Sequence, residues 1–332
     1  MSKTVKRNIV IFTSVLVVVI VSLFLIVTLV ATGSIGDRAL SDMKVVAKDR
    51  AQLVETYIQG CCDYLEVFSK TTEVREVLEN PLDNDCLKAV RDTTSRVAAG
   101  RENLEGLYVA KWDTYVLAHN NPDSMNQTFR DKDGALELED QIKKVGAAFC
   151  TGIVEAPVTK KMVIPVYAPV KNESGEMIGF AGAAFFTDGL EECLSSLKGR
   201  GIDEVGYSLI NAKKNVYIFS EDPQQVGREC RDESLLNGIT KAHTDIDLGG
   251  FYSYTGGKGI TSCYYMPNRD WVFVVTEENS EVYGTTSGVN PVIIICFIAG
   301  LLFIFTAFII CLLLSLPKPE EAFEQGKEAS GK

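Results

Sequence analysis

The chain has 332 residues, 46% of them hydrophobic, with 33 basic and 44 acidic side chains for a net charge of −11. Two runs, Asn8–Thr32 and Val292–Leu316, are each 25 residues long and contain no Asp, Glu, Lys or Arg. About 20 apolar residues cross a bilayer, so this pattern excludes a cytosolic enzyme and a disordered chain. Two spans are also too few for a polytopic transporter, and the acidic balance argues against a nucleic-acid surface.

Lys3, Lys6 and Arg7 precede the first run. Positive charge beside a first span stays cytoplasmic, which places residues 1–7 inside and 8–32 across the membrane. The run exceeds the roughly 7–15 apolar residues of a cleaved signal peptide, so an uncleaved anchor is expected. Residues 33–290 then form an extracytoplasmic body, 291–316 a second span, and 317–332 a short cytoplasmic tail. The expected location is the plasma membrane, with two passes and the body outside. Of the nine cysteines, seven lie in the body, two of them adjacent and none in a CxxC pattern. Neither a disulfide framework nor a zinc site is indicated, and several are expected to pack as small hydrophobes.

Apolar residues recur at Leu40, Met43, Ala47, Val54, Ile58, Cys61, Leu65 and Phe68. These steps of three, four or seven predict one long helix over 37–80, continuous with the first anchor. Asn80-Pro81 ends it, and a second helix is predicted over 85–99. Beyond Gly100 the period becomes that of strands. Leu104–Ala110 and Thr114–His119 read as a hairpin, and a helix follows around Leu136–Val145. Strands come next at Gly146–Val154, Lys161–Val170 and Met177–Phe186, the last two joined by the turn Asn172-Glu173-Ser174-Gly175. Asp188 with Glu191 three residues on resembles a capping box that opens a helix through Leu197. A second, shorter unit repeats the order. Its strands are Glu204–Asn211, Asn215–Ser220, Phe251–Tyr254, Ile260–Met266 and Trp271–Glu277.

The run Met162-Val-Ile-Pro-Val-Tyr-Ala-Pro-Val, the glycine turn, and Met177-Ile-Gly-Phe-Ala-Gly-Ala-Ala-Phe-Phe-Thr-Asp-Gly-Leu resemble the double-Cache sensor domains of bacterial chemoreceptors and sensor kinases. Phe129-Arg130 with Asp133-Gly134 resembles the methyl-accepting chemotaxis receptor type. The likeness covers roughly Gly36–Tyr283. It implies an α+β fold, a long N-terminal helix followed by two PAS-like antiparallel modules at 104–200 and 203–280. It also implies homodimerisation through the long helix and a small-molecule ligand in the membrane-distal module. Arg130 and Tyr167 correspond to ligand-binding positions of amino-acid-sensing members. Asp131-Lys132-Asp133 stand where a Trp-Tyr pair follows the arginine in those members, and Ala184 stands at the position of their amine-binding aspartate. The site implied therefore departs from that pattern.

Several residues have two readings from sequence. Phe180, Gly182, Ala184 and Phe186 share one strand face, which is either the floor of a recess or a surface packed by the following helix. His119, before Asn120-Asn121, is either a ligand donor that titrates near neutrality or an exposed loop side chain. Arg130 is either a carboxylate clamp or paired with Asp131 or Asp133. Tyr167 points into the recess or caps the core. Tyr115 and Trp112 lie in the hairpin as pocket or packing residues.

Catalysis has no signature. The two histidines, His119 and His243, are far apart, and no HExxH, GxSxG or phosphate loop occurs. Asp131-Lys-Asp133-Gly134 lacks the closing Glu of a calcium loop. No cofactor and no metal are expected. The partners expected are a small-molecule ligand, the lipid bilayer, a second copy of the chain, and a cytoplasmic or membrane signalling partner. The sequence thus reads as a sensor input module without its own output domain. A non-signalling surface binding or scaffold protein and a truncated receptor fragment remain the other readings.

Overall fold

The computed structural model describes residues 3–157, 159–195, 206–220, 222–244, 251–255, 259–278 and 289–314. The chain divides into two compact units. One comprises Met1–Asp42, Thr255–Ile260 and Glu277–Lys332, and the other Met43–Tyr254 and Thr261–Thr276.

Helix α1 runs without interruption from Lys3 to Ser69, so the first apolar run and the amphipathic stripe form one element. The helix expected through residue 80 is in fact two. Ser69 Oγ donates to the Glu66 carbonyl at 2.9 Å and Thr71 Oγ1 to the Phe68 carbonyl at 3.0 Å. Hydroxyls that bond back to the chain in this way compete with continued helix. Thr71 is extended (φ −68°, ψ 149°), and α2 (Thr72–Glu79) restarts the helix so that Val74, Val77 and Leu78 are buried. Helix α3 (Asn84–Ala99) is capped by the Asp83 carboxylate, which accepts from the N–H groups of Asp85 and Cys86. That satisfies two of its orphan donors.

The first sheet contains β1 (Leu104–Ala110), β2 (Val116–His119), β3 (Phe149–Cys150), β4 (Val154–Glu155), β5 (Met162–Lys171) and β6 (Met177–Phe186). Its order is β2-β1-β6-β5-β3, with β4 also paired to β5. The single strand expected over 146–154 is replaced by the two short pieces β3 and β4. Gly152 between them has φ +132°, which breaks a regular extended run. Helix α4 spans Lys132–Val145, starting earlier than expected because the Asp131 carboxylate accepts from the Gly134 N–H; Gly146, at φ +69°, ends it. Helix α5 (Asp188–Ser195) follows β6. Its expected capping box is absent, since Asp188 is already helical and the Leu190 and Glu191 N–H groups bond to the Thr187 carbonyl.

The second sheet contains β7 (Gly206–Asn211), β8 (Val216–Ser220), β9 (Phe251–Thr255), β10 (Gly259–Met266) and β11 (Trp271–Glu278), with helix α6 (Glu233–Thr244) between β8 and β9. Its order is β8-β7-β11-β10-β9. Each module thus places its hairpin beside the last strand of its meander, which is the internal repeat in structural form. The expected extensions over residues 196–205, the turn at 256–258 and the tail at 317–332 lie outside the described residues.

Each sheet packs its own helix on one face. In the distal module Leu138 and Ile142 of α4 meet Ala110, Val116, Tyr167 and Phe180. In the proximal one Leu235, Ile239 and Ala242 of α6 meet Ile210, Cys263, Val272 and Val274. The α1 stripe is buried in this unit, with Met43, Ala47, Val54, Ile58, Cys61 and Leu65 all at 0% exposure. Tyr64 meets Phe185 of β6 edge-on at 5.8 Å, and Arg269, before β11, donates to Glu55 of α1 at 2.6 Å. The described cysteines of the body are free thiols. Burial pushes Cys61, Cys62 and Cys263 up to about 12, so they are packed, unreactive thiols.

In the other unit, Phe24 of α1 and Phe297 of helix α7 (Val289–Leu314) approach to 4.3 Å between ring centroids. Among the residues whose side chains are described, which leave out 27–36, 291–294, 296 and 311–314, no helix is long and apolar enough to cross a membrane.

Truncation of Leu65 tests the helix–sheet interface. Leu65→Ala should destabilise the chain by about 2–5 kcal/mol in denaturant titration. Gln59→Ala, on the exposed face of the same helix, should stay within about 0.5 kcal/mol of the wild type.

Candidate functional site

Strand register puts five residues in one row across the distal sheet. His119 of β2 lies opposite Tyr108 of β1, Tyr108 opposite Gly182 of β6, Gly182 opposite Tyr167 of β5, and Tyr167 opposite Phe149 of β3. Residues directly opposite share a face, so four aromatic rings flank one glycine. A Cβ at Gly182 would lie 2.2 Å from Tyr108 Cζ and 2.5 Å from its hydroxyl. The Tyr108 ring therefore lies across the glycine, in space that any side chain would fill. The space above Gly182, expected either as a recess or as a surface packed by the following helix, is filled by the Tyr108 ring of the neighbouring strand.

The ring is held on several sides. His119 stacks on it at 5.7 Å with an interplanar angle of 6°. Phe129 and Phe180 meet it edge-on at 5.2 and 6.2 Å, a favoured aromatic geometry. Tyr108 shares a hydrogen bond with Tyr167, and burial pushes its phenol well above the usual tyrosine range. The phenol stays protonated at neutral pH.

Arg130 brings the positive charge. Thr114 Oγ1 accepts from its backbone N–H at 3.0 Å. Its Nη2 donates to the Tyr167 hydroxyl at 3.1 Å, with the guanidinium carbon 5.7 Å from that ring. The expected alternative, a pair with Asp131 or Asp133, does not form: the Asp131 carboxylate is used on the Gly134 N–H. Among the described residues Arg130 makes no ion pair. It borders an open cleft of about 400 Å³ against α4, shared with Trp112, Thr128, Ala135 and Leu136. Asp113, Lys132 and Glu139 also line that cleft. The guanidinium itself donates to the Tyr167 phenol and is of a type suited to a carboxylate.

His119 is not an exposed loop residue. It ends β2 at 8% exposure, and its Nδ1 accepts from the Asn121 N–H at 2.8 Å, which assigns the proton of the neutral ring to Nε2. Burial pushes its pKa down to about 4, so it is a neutral donor at pH 7 rather than a group titrating there. Tyr167 is buried with its hydroxyl on Arg130, which joins the two readings it had from sequence. Ala184 lies opposite Gly106 and Pro165, one pair along from the aromatic row on the same face. Tyr115 stands apart at the hairpin tip, with Lys111 over its ring at 5.0 Å and its hydroxyl on Asn126 at 3.4 Å. Among the described residues no group of three or more His, Cys, Asp or Glu could hold a metal ion.

No protein-family model and no curated protein matches the chain. Its fold is similar to solved sensor domains. With the ligand-binding domain of the Campylobacter jejuni chemoreceptor Tlp3 in complex with L-valine, it shares 15% identity at a TM-score of 0.53, over 75% of this chain and 96% of that one. The same domain in complex with 4-methylisoleucine gives 14% identity and 0.54, over 75% and 94%. The sensor domain of the V. cholerae histidine kinase DctB gives 11% identity and 0.55, over 73% and 98%. At these identities the likeness establishes the fold alone: an α+β chain with a long N-terminal helix and antiparallel sheets.

Tyr108 was not singled out in the sequence. The available signal was Gly106-Leu-Tyr108, a strand in which a glycine and a tyrosine alternate on one face. Only the pairing with β6 shows that the tyrosine meets a glycine.

The histidine gives a pH dependence. Its pKa falls from 6.5 in an unfolded chain to about 4 in the fold, so between those values the unfolded chain binds the extra proton. Stability is therefore full above about pH 6.5 and lost as pH falls toward 4, by about 3 kcal/mol at most. Unfolding midpoints of the wild type should fall through this window more steeply than those of His119→Gln.

Proposed function

We propose that this chain is a membrane-anchored small-molecule sensor whose distal module binds ligand over the Gly182 face of the first sheet. The observation that carries the reading is the side chain of Arg130, half-buried, in no ion pair among the described residues, and donating to the hydroxyl of Tyr167, which lies across Gly182 from Tyr108. Arg130 and the Tyr167 hydroxyl hold the acidic end of the ligand, His119 offers its Nε2–H, and Phe129, Phe180 and Trp112 supply apolar walls. Tyr115 takes no part. The fold supports the reading, because the similar domains named above are the ligand-binding domain of a chemoreceptor and the sensor domain of a histidine kinase. The Tlp3 domain in complex with L-valine and with 4-methylisoleucine favours a ligand of comparable size here.

The anchoring is part of the proposal. Helix α7 has 26 residues and no charged side chain. On α1 the apolar residues Phe12, Val15, Val18, Leu23 and Ile26 are more than half exposed, as are Ile295, Leu302 and Phe305 on α7. A helix that is hydrophobic all round and open to its surroundings belongs in hydrocarbon. With Lys3, Lys6 and Arg7 before the first run, the body lies outside a plasma membrane crossed twice. Dimerisation uses the polar outer stripe of α1, where Gln52, Thr56, Gln59 and Asp63 are exposed. Gly60 lies on that stripe with nothing within 4 Å of a Cβ built there, so a second helix can approach it closely.

The test is a thermal-shift screen of the full chain in detergent micelles against amino acids, organic acids and amines. At least one small carboxylate should raise the midpoint by several degrees, and Arg130→Ala should abolish the shift without lowering the ligand-free midpoint by more than a few degrees. A screen with no stabilising compound, or a shift that Arg130→Ala retains in full, contradicts the reading.

A further inference from the structure

The turn that joins β1 to β2 carries a strained residue. Thr114 has φ +60°, in the left-handed region that a β-branched residue enters only as an outlier. The other described non-glycine residues with positive φ are Asn126, Lys160, Asn215 and Asp270, and none of these is branched at Cβ. Thr114 is also the one of the five that is buried, at 2% exposure. Glycine or asparagine would complete such a turn without strain. Residues held in sparsely populated backbone regions persist where the surroundings over-determine them, and they concentrate at binding sites.

Both oxygens of Thr114 are used on the segment that carries Arg130. Its carbonyl accepts from the Phe129 N–H at 3.3 Å, and its Oγ1 accepts from the Arg130 N–H at 3.0 Å. Before these residues the segment is paired along the hairpin. Tyr115 bridges Thr128, the Val116 N–H donates to the Gln127 carbonyl at 2.9 Å, and the Asn126 N–H donates to the Val116 carbonyl at 3.0 Å. After them, the Asp131 carboxylate caps α4. Arg130 thus stands between the end of a backbone ladder and the start of a helix, and its N–H is held by a side chain. The backbone angles of Thr114 set the direction of its Cα–Cβ bond and so the place of that hydroxyl. The two residues fixed in this way both reach the aromatic row. Arg130 Nη2 donates to the Tyr167 hydroxyl at 3.1 Å, and the Phe129 ring meets Tyr108 at 5.2 Å and His119 at 6.0 Å.

We infer that Thr114 is a positioning residue of the distal site, holding Phe129 and Arg130 in place through its own carbonyl and hydroxyl. This rests on the reading of that site as a ligand site. A guanidinium on a long side chain has many rotamers, and a backbone fixed before the ligand arrives leaves less to be ordered on binding. Three substitutions separate a placed hydroxyl from a residue that only shapes the turn. Valine keeps the shape and removes the acceptor, serine keeps the acceptor, and glycine suits the backbone angle but has no side chain.

Isothermal titration of the full chain in detergent micelles tests this, with the common amino acids, acetate, butyrate and succinate as probes. For the probe that binds the wild type most tightly, Thr114→Val and Thr114→Gly should each weaken binding by about tenfold or more, while Thr114→Ser stays within about threefold. Hydrogen–deuterium exchange of the ligand-free proteins gives a second readout. The Arg130 amide should be protected in the wild type and in Thr114→Ser, and should exchange about tenfold faster or more in Thr114→Val. The inference is overturned if Thr114→Val or Thr114→Gly binds the probe as tightly as the wild type, or if Thr114→Ser is as weak as Thr114→Val. Should Thr114→Val not fold, the contrast between Thr114→Gly and Thr114→Ser decides in the same way. If none of the probes binds the wild type, the ligand-site reading itself falls, and the role built on it falls too.

Discussion

The distal module is organised around one close approach, the ring of Tyr108 lying against the backbone of Gly182. A single Cβ would close the gap to 2.2 Å, so the arrangement depends on a residue with no side chain at the centre of the sheet. Everything polar in the site is arranged about that ring. His119 stacks on its outer side, Tyr167 meets its hydroxyl, and Arg130 stands behind Tyr167. Fixing a tyrosine there costs side-chain entropy, offset by aromatic contacts worth about 0.5–1.5 kcal/mol each beyond burial. On the proposed reading this ring is what a ligand of similar size displaces.

That exchange gives a route to signalling on the proposed reading. β6 presents Gly182 and Ala184 to the recess on one face. On the other it presents Phe185 to Tyr64 of α1, with Arg101 over both of those rings. Movement of β6 or β1 on the ligand side is thus delivered to the long helix through an aromatic contact. Lower on the same helix, Glu55 is bound to Arg269 of the proximal module at 2.6 Å. A ligand shifts such a system only by the difference in its affinity for two arrangements. On that reading, replacement of Tyr108 by a molecule whose carboxylate pairs with Arg130 provides that difference.

Much of this was legible in the sequence where local chemistry decides the structure. Strand β6 and the turn before it appear as read, because Asn172 accepts the Glu176 N–H at 2.8 Å and Gly175 takes φ +83°. The repeat of hairpin, crossover and meander could be read from turn residues and period alone. Other features depended on contacts distant in sequence. The end of α1 at Ser69 has no proline or glycine to mark it and rests on two hydroxyls. His119 resembles a loop residue beside Asn120-Asn121-Pro122, yet Asn120 Oδ1 accepts the Leu107 N–H at 2.7 Å and keeps the strand end buried. The juxtaposition of Tyr108 with Gly182 follows from register, which a single strand does not announce.

The central claim is that the surface over Gly182 is a ligand site held closed by Tyr108. Hydrogen–deuterium exchange of the full chain, with and without a saturating small carboxylate shown to stabilise it, addresses this directly. The account predicts that protection changes in the strands of the Gly182 row, residues 104–110 and 177–186, and in the 128–134 segment that carries Arg130, with smaller changes along α1. Protection confined to the proximal module, residues 206–278, with the Gly182 row unchanged, would contradict it.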